Sequence, residues 1–135
     1  MKIVLDTNVL VSGLLTPFGP GGTIIRMIVA GDLVLAVDAR IVSEYQDVLL
    51  KPKFKFNPDH IETLIDFIKR SCQNVSTRPL KHSLPDPDDE PFLEVAIAAR
   101  ADSLITGNHV HFPSDLCQGI AVYSPSAFLN YYRNT

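Results

Sequence analysis

The sequence predicts an α/β fold organised around a central, mainly parallel sheet, and three observations carry that reading. Short apolar runs such as Ile3-Val4-Leu5 and Leu33-Val34-Leu35-Ala36-Val37 recur along the chain. Strands buried on both faces read this way, as continuous apolar runs without polar alternation. Between the runs lie segments with helical spacing and helix-capping residues, and such alternation specifies strand–helix–strand units. Polar residues also stand directly after the runs, where an open parallel sheet gathers ligands and chemistry.

The elements follow in order. Residues 2–5 form the first strand, and Asp6-Thr7-Asn8 end it before Val9-Leu10-Val11 resume an apolar pattern on the next helix. Residues 17–22, rich in Pro and Gly, read as a loop, and residues 23–30 as a helix that Gly31 closes. A second strand covers 33–37. Asp38 is placed to cap a helix over 39–50, ended by Lys51-Pro52; its apolar face is Ile41, Val42, Tyr45, Val48 and Leu49. Asn57-Pro58 opens another helix, with Asn as cap and Pro at the first helical position, and Ile61, Leu64, Ile65 and Ile68 as the buried stripe. A short strand is expected within 73–77 and a polar loop over 78–87. Asp88 or Asp89 then caps a helix to about residue 100, with Phe92, Leu93, Ala96 and Ile97 inward. Strands at 103–105 and 120–123 follow, and Ser124-Pro125 opens the last helix, to residue 132.

At 135 residues with 46% hydrophobic content, the chain fits one domain over 1–135 and can fill a core. Net charge is -3, which excludes an overall basic field, so a phosphate-bearing substrate requires a local patch or bound cations. Cys72 and Cys117 are too few for a disulfide framework and read as reduced thiols. No apolar run approaches the roughly 20 residues of a membrane span, and no signal-peptide pattern precedes the first strand. A cytoplasmic protein with no membrane association is expected.

The acids are the chemically informative residues. Asp6 ends the first strand; Asp86, Asp88, Asp89 and Glu90 precede a helix; Glu44 sits at the edge of an apolar helix face, beside solvent-directed Gln46 and Asp47. Thr106-Gly107-Asn108 follows the strand at 103–105. Carboxylates converging in one crevice raise one another's pKa, and a divalent cation removes that penalty. Mg²⁺ and Mn²⁺ take hard oxygen ligands and suit phosphodiester hydrolysis. Each residue also has a plainer reading: Asp6 as a helix cap, Glu44 as a solvated helix residue, 86–90 as acids at a helix N-terminus, and Asn108 as turn chemistry. Only the ordered combination is specific.

That combination resembles the PIN-domain family, in particular the VapC-like toxin ribonucleases of toxin–antitoxin pairs. The likeness runs through Ile3-Val4-Leu5-Asp6-Thr7-Asn8-Val9-Leu10, Ile41-Val42-Ser43-Glu44-Tyr45, Pro87-Asp88-Asp89-Glu90-Pro91-Phe92-Leu93 and 101–108. It implies a three-layer α/β/α sandwich in which Asp6, Glu44 and Asp89 are catalytic. The metal ligands would be Asp6, Glu44, Asp88, Asp89 and Asn108. Asp88 and Asp89 compete for the third acid, with Asp89 favoured by its spacing to Ala96. Asn8 supports Asp6. Asn108 stands where the family often has Asp, keeping a carbonyl ligand but losing a charge, and Thr106 would orient a water. The resemblance further implies Mg²⁺ or Mn²⁺ as cofactor, RNA as substrate, a cognate antitoxin and a homodimer. The alternative is a catalytically weakened PIN scaffold acting as a binding or regulatory module.

Three other features of the sequence stand out. Lys51-Pro52-Lys53-Phe54-Lys55-Phe56 alternates cations with aromatics; it suits single-stranded nucleic acid or a solvated edge with both rings packed inward, and the second is favoured. His109 and His111 offer a phosphate or metal contact without further ligand spacing. Tyr131 and Tyr132 suit an oligomer contact or simple packing. A phospho-receiver is disfavoured because no lysine follows Lys81. A phosphatase with Asp6 as nucleophile is disfavoured because Asn8 stands where a general acid would be needed.

Overall fold

A computed structural model describes residues 1–135. Five parallel strands form one sheet: β1 (Lys2–Leu5), β2 (Val34–Val37), β3 (Gln73–Asn74), β4 (Ser103–Ile105) and β5 (Val122–Tyr123), in the order β3-β2-β1-β4-β5. Six helices connect and cover them: α1 (Thr7–Leu15), α2 (Pro20–Ala30), α3 (Ala39–Leu49), α4 (Pro58–Ser71), α5 (Glu90–Ala99) and α6 (Pro125–Arg133). From β1 the chain steps outward to β2 and β3, then returns through α5, which touches β1, β2 and β4, to place β4 on the other flank of β1. The strand order therefore reverses between β1 and β4. In such sheets the crevice at the reversal, beyond the carboxyl ends of the strands, is where ligands bind. Asp6 and Thr106 are the residues that follow those two strands.

The expected caps at three helices are in place. Asp38, Asn57 and Ser124 accept backbone hydrogen bonds from Ile41, Asp59 and Ala127, each satisfying a donor that the helix leaves unpaired. Gly31 closes α2 with φ of 87°, a left-handed conformation that glycine adopts without strain.

Several boundaries differ from expectation. Residues 17–22 are not all loop, because α2 begins at Pro20, with proline at the first helical position. Gly21 and Gly22 are there for packing: a Cβ on Gly22 would lie 2.1 Å from the Pro17 carbonyl oxygen, and one on Gly13 2.8 Å from the Gly21 backbone. The strand expected within 73–77 shrinks to two residues, and the one at 120–123 to Val122–Tyr123. Neither Asp88 nor Asp89 caps α5 with its side chain. Asp86 accepts from the Asp88 amide and starts a 3-10 turn, Pro87–Asp89, that feeds into the helix. Α5 itself is buried nearly all round: Glu94, Val95 and Ala99 join Phe92, Leu93 and Ala96, while Ile97 is only half-buried.

One apolar core of 30 buried residues runs from Ile3, Val4 and Leu5 of the central strand to Phe128 of α6. Tyr131 and Tyr132 pack against it, Tyr131 stacking on Tyr123 at 5.1 Å, so neither is free for an oligomer contact as a whole ring. Phe54 and Phe56 are half-buried and stack at 5.7 Å; Phe56 packs on the core. No helix is long and apolar enough to cross a membrane.

Candidate active site

Asp6 is held at the reversal point by both flanking strands. Its amide donates to the Ile105 carbonyl at 2.9 Å, continuing the β1–β4 ladder one step past the strand. Its side chain does not cap α1. Instead Oδ2 accepts from the Thr106 hydroxyl at 2.8 Å and from the Asn8 amide at 3.3 Å. Thr106 is fully buried, its hydroxyl also accepting from the Asn108 amide at 3.0 Å, and Asn8 Oδ1 accepts from the Gly107 amide at 3.2 Å. The plain capping reading of Asp6 is thus set aside, and the loop after β4 is stitched to the start of α1. Asn108 takes part through its backbone, with its side chain exposed.

Glu44 comes from α3 and is half-buried, whereas Gln46 and Asp47 are exposed. The helix face that turns Tyr45, Ile41 and Leu49 inward brings Glu44 to the crevice rim. The Thr7 hydroxyl donates to Glu44 Oε2, and the buried Tyr45 hydroxyl donates to the Leu5 carbonyl, so α3 is bonded to the end of β1 on both sides of Asp6. Arg40, one turn earlier on α3, reaches Glu94 of α5 at 2.8 Å and Asp38 at 2.7 Å. This clamp fixes the helix that carries Glu44 against the helix that follows Asp89.

Asp89 lies at the junction of the 3-10 turn and α5 and is 8% exposed, while Asp88 is exposed. Its buried Oδ2 makes no hydrogen bond, although His111 Nδ1 stands 3.0 Å away, an ion pair when the imidazole is protonated. Asp86, Asp89 and His111 each offer a ligand atom, all within 4.8 Å of one another. Glu90, by contrast, is structural: its carboxylate accepts from the Leu84 amide at 2.9 Å and pins the preceding loop.

The acids feel one another. Burial pushes Asp6 above the usual carboxylate range, opposed by the Thr106 hydroxyl, the Thr7 amide and His111. Burial also raises Glu44, with the Thr7 hydroxyl opposing it, Asp6 and Asp88 adding repulsion, and Lys51 relieving it. Asp89 moves from 3.8 to about 6 through burial and repulsion from Asp6, Asp86 and Glu44, partly relieved by His111. Burial and the charges of Asp6 and Glu44 push the Tyr45 phenol well up. Mutual repulsion among anions collected in one place is the electrostatic signature of a functional site. An oxygen-rich donor set whose buried Asp89 oxygen has only the His111 imidazole beside it fits a divalent cation.

Of the residues singled out in the sequence, Asp6, Asn8, Glu44, Asp89 and Thr106 come together. Asp88 stands at the exposed rim, and Asn108 beside the crevice. Sequence reasoning passed over Thr7 as a participant, and it noted Asp86 and His111 without placing them together. Thr7 fixes Glu44, and its position next to Asp6 was the available signal. Asp86 was legible as the acid before Pro87. His111 reaches Asp89 only because a 3-10 turn, His109–His111, folds it back, and no periodicity announces that turn.

The profile of the PIN domain family matches residues 2–110. No curated protein sequence matches significantly. Among solved structures, the chain is similar to VapBC2 from Rickettsia felis bound to a DNA fragment from its promoter, at 15% identity and a TM-score of 0.60, covering 90% of this chain and 97% of that one. It is similar also to FitAcB from Neisseria gonorrhoeae, at 17% identity and a TM-score of 0.56, covering 92% and 98%. At such identities the likeness establishes the fold. Since the family profile spans most of its length, this chain belongs to the PIN domain family.

Proposed function

We propose that the chain, acting as one domain over residues 1–135, is a metal-dependent endoribonuclease and the toxin of a toxin–antitoxin pair. The observation that carries this reading is the set of carboxylates that repel one another, with Asp6 at the carboxyl end of β1, Glu44 on α3 and Asp89 at the start of α5. Asp6, Glu44 and Asp89 would hold Mg²⁺ or Mn²⁺, with Asp88 and Asn108 assisting. The tight group around Asp89 consists of Asp86 and His111, so sharing an ion among all three acids requires their side chains to close inward. The bound cation supplies an activated nucleophile at neutral pH and neutralises charge developing on the phosphoryl group.

The chain's own residues supply the rest. Thr106 and Asn8 orient Asp6 and favour its charged form against the effect of burial through two donated hydrogen bonds, and charge-assisted bonds of this kind are the strong ones. Thr7 does the same for Glu44. The Thr106 hydroxyl, fully buried and engaged by Asp6 and the Asn108 amide, positions Asp6 rather than the water expected from the sequence. RNA as substrate and a cognate antitoxin as partner are supported by the family and by the printed descriptions of the two similar complexes. A homodimer in the cytoplasm is the expected setting.

Asp6→Asn tests the proposal. Cleavage of RNA in Mn²⁺ should fall at least a thousandfold while the circular dichroism spectrum stays that of the wild type. Retained cleavage by Asp6→Asn overturns the assignment, and a wild type that binds Mn²⁺ but cuts no RNA favours the weakened scaffold.

A further inference from the structure

We infer that Lys51, Lys53 and Lys55 form a phosphate-tracking strip that receives single-stranded RNA running out of the acidic crevice. This inference rests on the ribonuclease reading and adds to it the surface that holds the substrate.

The strip is well placed. Lys51 follows Glu44 by seven residues and lies just past the C-terminal end of α3, its amide donating to the Val48 carbonyl at 3.1 Å. Lys51 is near enough that its charge counteracts the repulsion on Glu44. The chain then tightens into a 3-10 turn, Pro52–Phe54, that carries Lys53 and delivers Lys55. All three lysines are exposed, and none of their ammonium groups makes an ion pair or a hydrogen bond with the protein. In a chain of net charge -3, three unpaired cations beside a cluster of acids are a local reversal of sign, and this is what a polyanion approaching an acidic site requires.

The aromatic residues set the geometry. Phe56 packs on the core, Phe54 stacks on Phe56 at 5.7 Å, and the Lys53 ammonium rests 5.0 Å over the Phe54 ring. Phe54 is thus contacted by both Phe56 and Lys53, and the pair serves as a pedestal for a charge. Lys55 adopts φ of 56°, a left-handed conformation that favours glycine, yet a cation stands there. Contacts to phosphates without base stacking imply affinity that is salt-dependent and indifferent to sequence.

The test uses a fluorescein-labelled, unstructured 20-nucleotide RNA, with binding followed by anisotropy in chelator across a salt series so that nothing is cut. Each phosphate contact on a single strand contributes about 0.7 to the slope of log affinity against log salt. The triple variant Lys51→Glu, Lys53→Glu, Lys55→Glu should lose at least tenfold in affinity at 100 mM salt and about 2 in slope. Lys69→Glu, the same charge reversal made at one site on α4, should lose neither. In Mn²⁺ the cleavage deficit of the triple variant should appear as a raised KM. A triple variant that binds like Lys69→Glu, or a loss seen only with a duplex probe, overturns the strip. Neither result touches the nuclease reading, which fails if the wild type cuts no RNA in Mn²⁺.

Discussion

Asp89 carries its charge where burial and three neighbouring carboxylates oppose it, so the acidic crevice should cost the fold stability whenever no cation is bound. Asp89→Asn in chelator measures that cost. Asp89 titrates near 6 against an ordinary 3.8, and each tenfold change in proton affinity is worth about 1.4 kcal/mol, so ionising it at pH 7.5 costs about 3 kcal/mol. Solvent at the crevice rim and loss of the His111 pairing bring the expected gain on substitution to about 1.5 kcal/mol. The sign follows from linkage. A carboxyl whose folded pKa is raised contributes stability that is complete below about 4 and lost as pH climbs through 6. Urea denaturation of the wild type in chelator should accordingly show falling stability between pH 4 and 7, and Asp89→Asn should flatten that fall and be the more stable protein at pH 7.5. Adding Mn²⁺ should reverse the order, because ligand binding to the folded wild type adds stability that the variant forgoes. Equal or lower stability for Asp89→Asn in chelator at pH 7.5 would refute the reasoning.

Other perturbations probe the supports of the site. Thr106→Val removes the buried hydroxyl between Asp6 Oδ2 and the Asn108 amide, at a cost of about 1–2 kcal/mol. Losing that donor raises Asp6 further, so calorimetric Mn²⁺ affinity should weaken more at pH 6 than at pH 8, where protons compete less for the ligand; an unchanged affinity at both would contradict the role given to Thr106. Gly22→Ala drives a Cβ into the Pro17 carbonyl and should lose about 2–3 kcal/mol in urea, with the crevice acids untouched; wild-type stability would show that the α1–α2 junction gives easily.

Much of this architecture could be read from the chain because local and global preferences agree. The apolar runs at 3–5 and 33–37 had no polar alternation and could only be buried strands, and Asp38, Asn57 and Ser124 stood where helices need acceptors. Asp6 was legible for the same reason, as a carboxylate fixed to the end of a strand that had to be central. What escaped depends on contacts distant in sequence. Gly21 and Gly22 look like loop residues, and only the close approach of Pro17 explains why a helix contains them. The edge strands at 73–77 and 120–123 are shortened because pairing on one side supports only a few residues, and propensity does not register that. The capping role passed from Asp88 or Asp89 to Asp86 because Pro87 favours an early 3-10 turn. His111 meets Asp89 across 22 residues of chain by way of two turns that carry no period.

The account stands on Asp6, Glu44 and Asp89 closing on one cation, and anomalous diffraction from crystals soaked in Mn²⁺ reads that directly. It predicts a peak within bonding distance of all three carboxylates, absent from Asp6→Asn crystals grown the same way. A peak bound by Asp86, Asp89 and His111 alone, or no peak at any Mn²⁺ concentration the crystals tolerate, would contradict it.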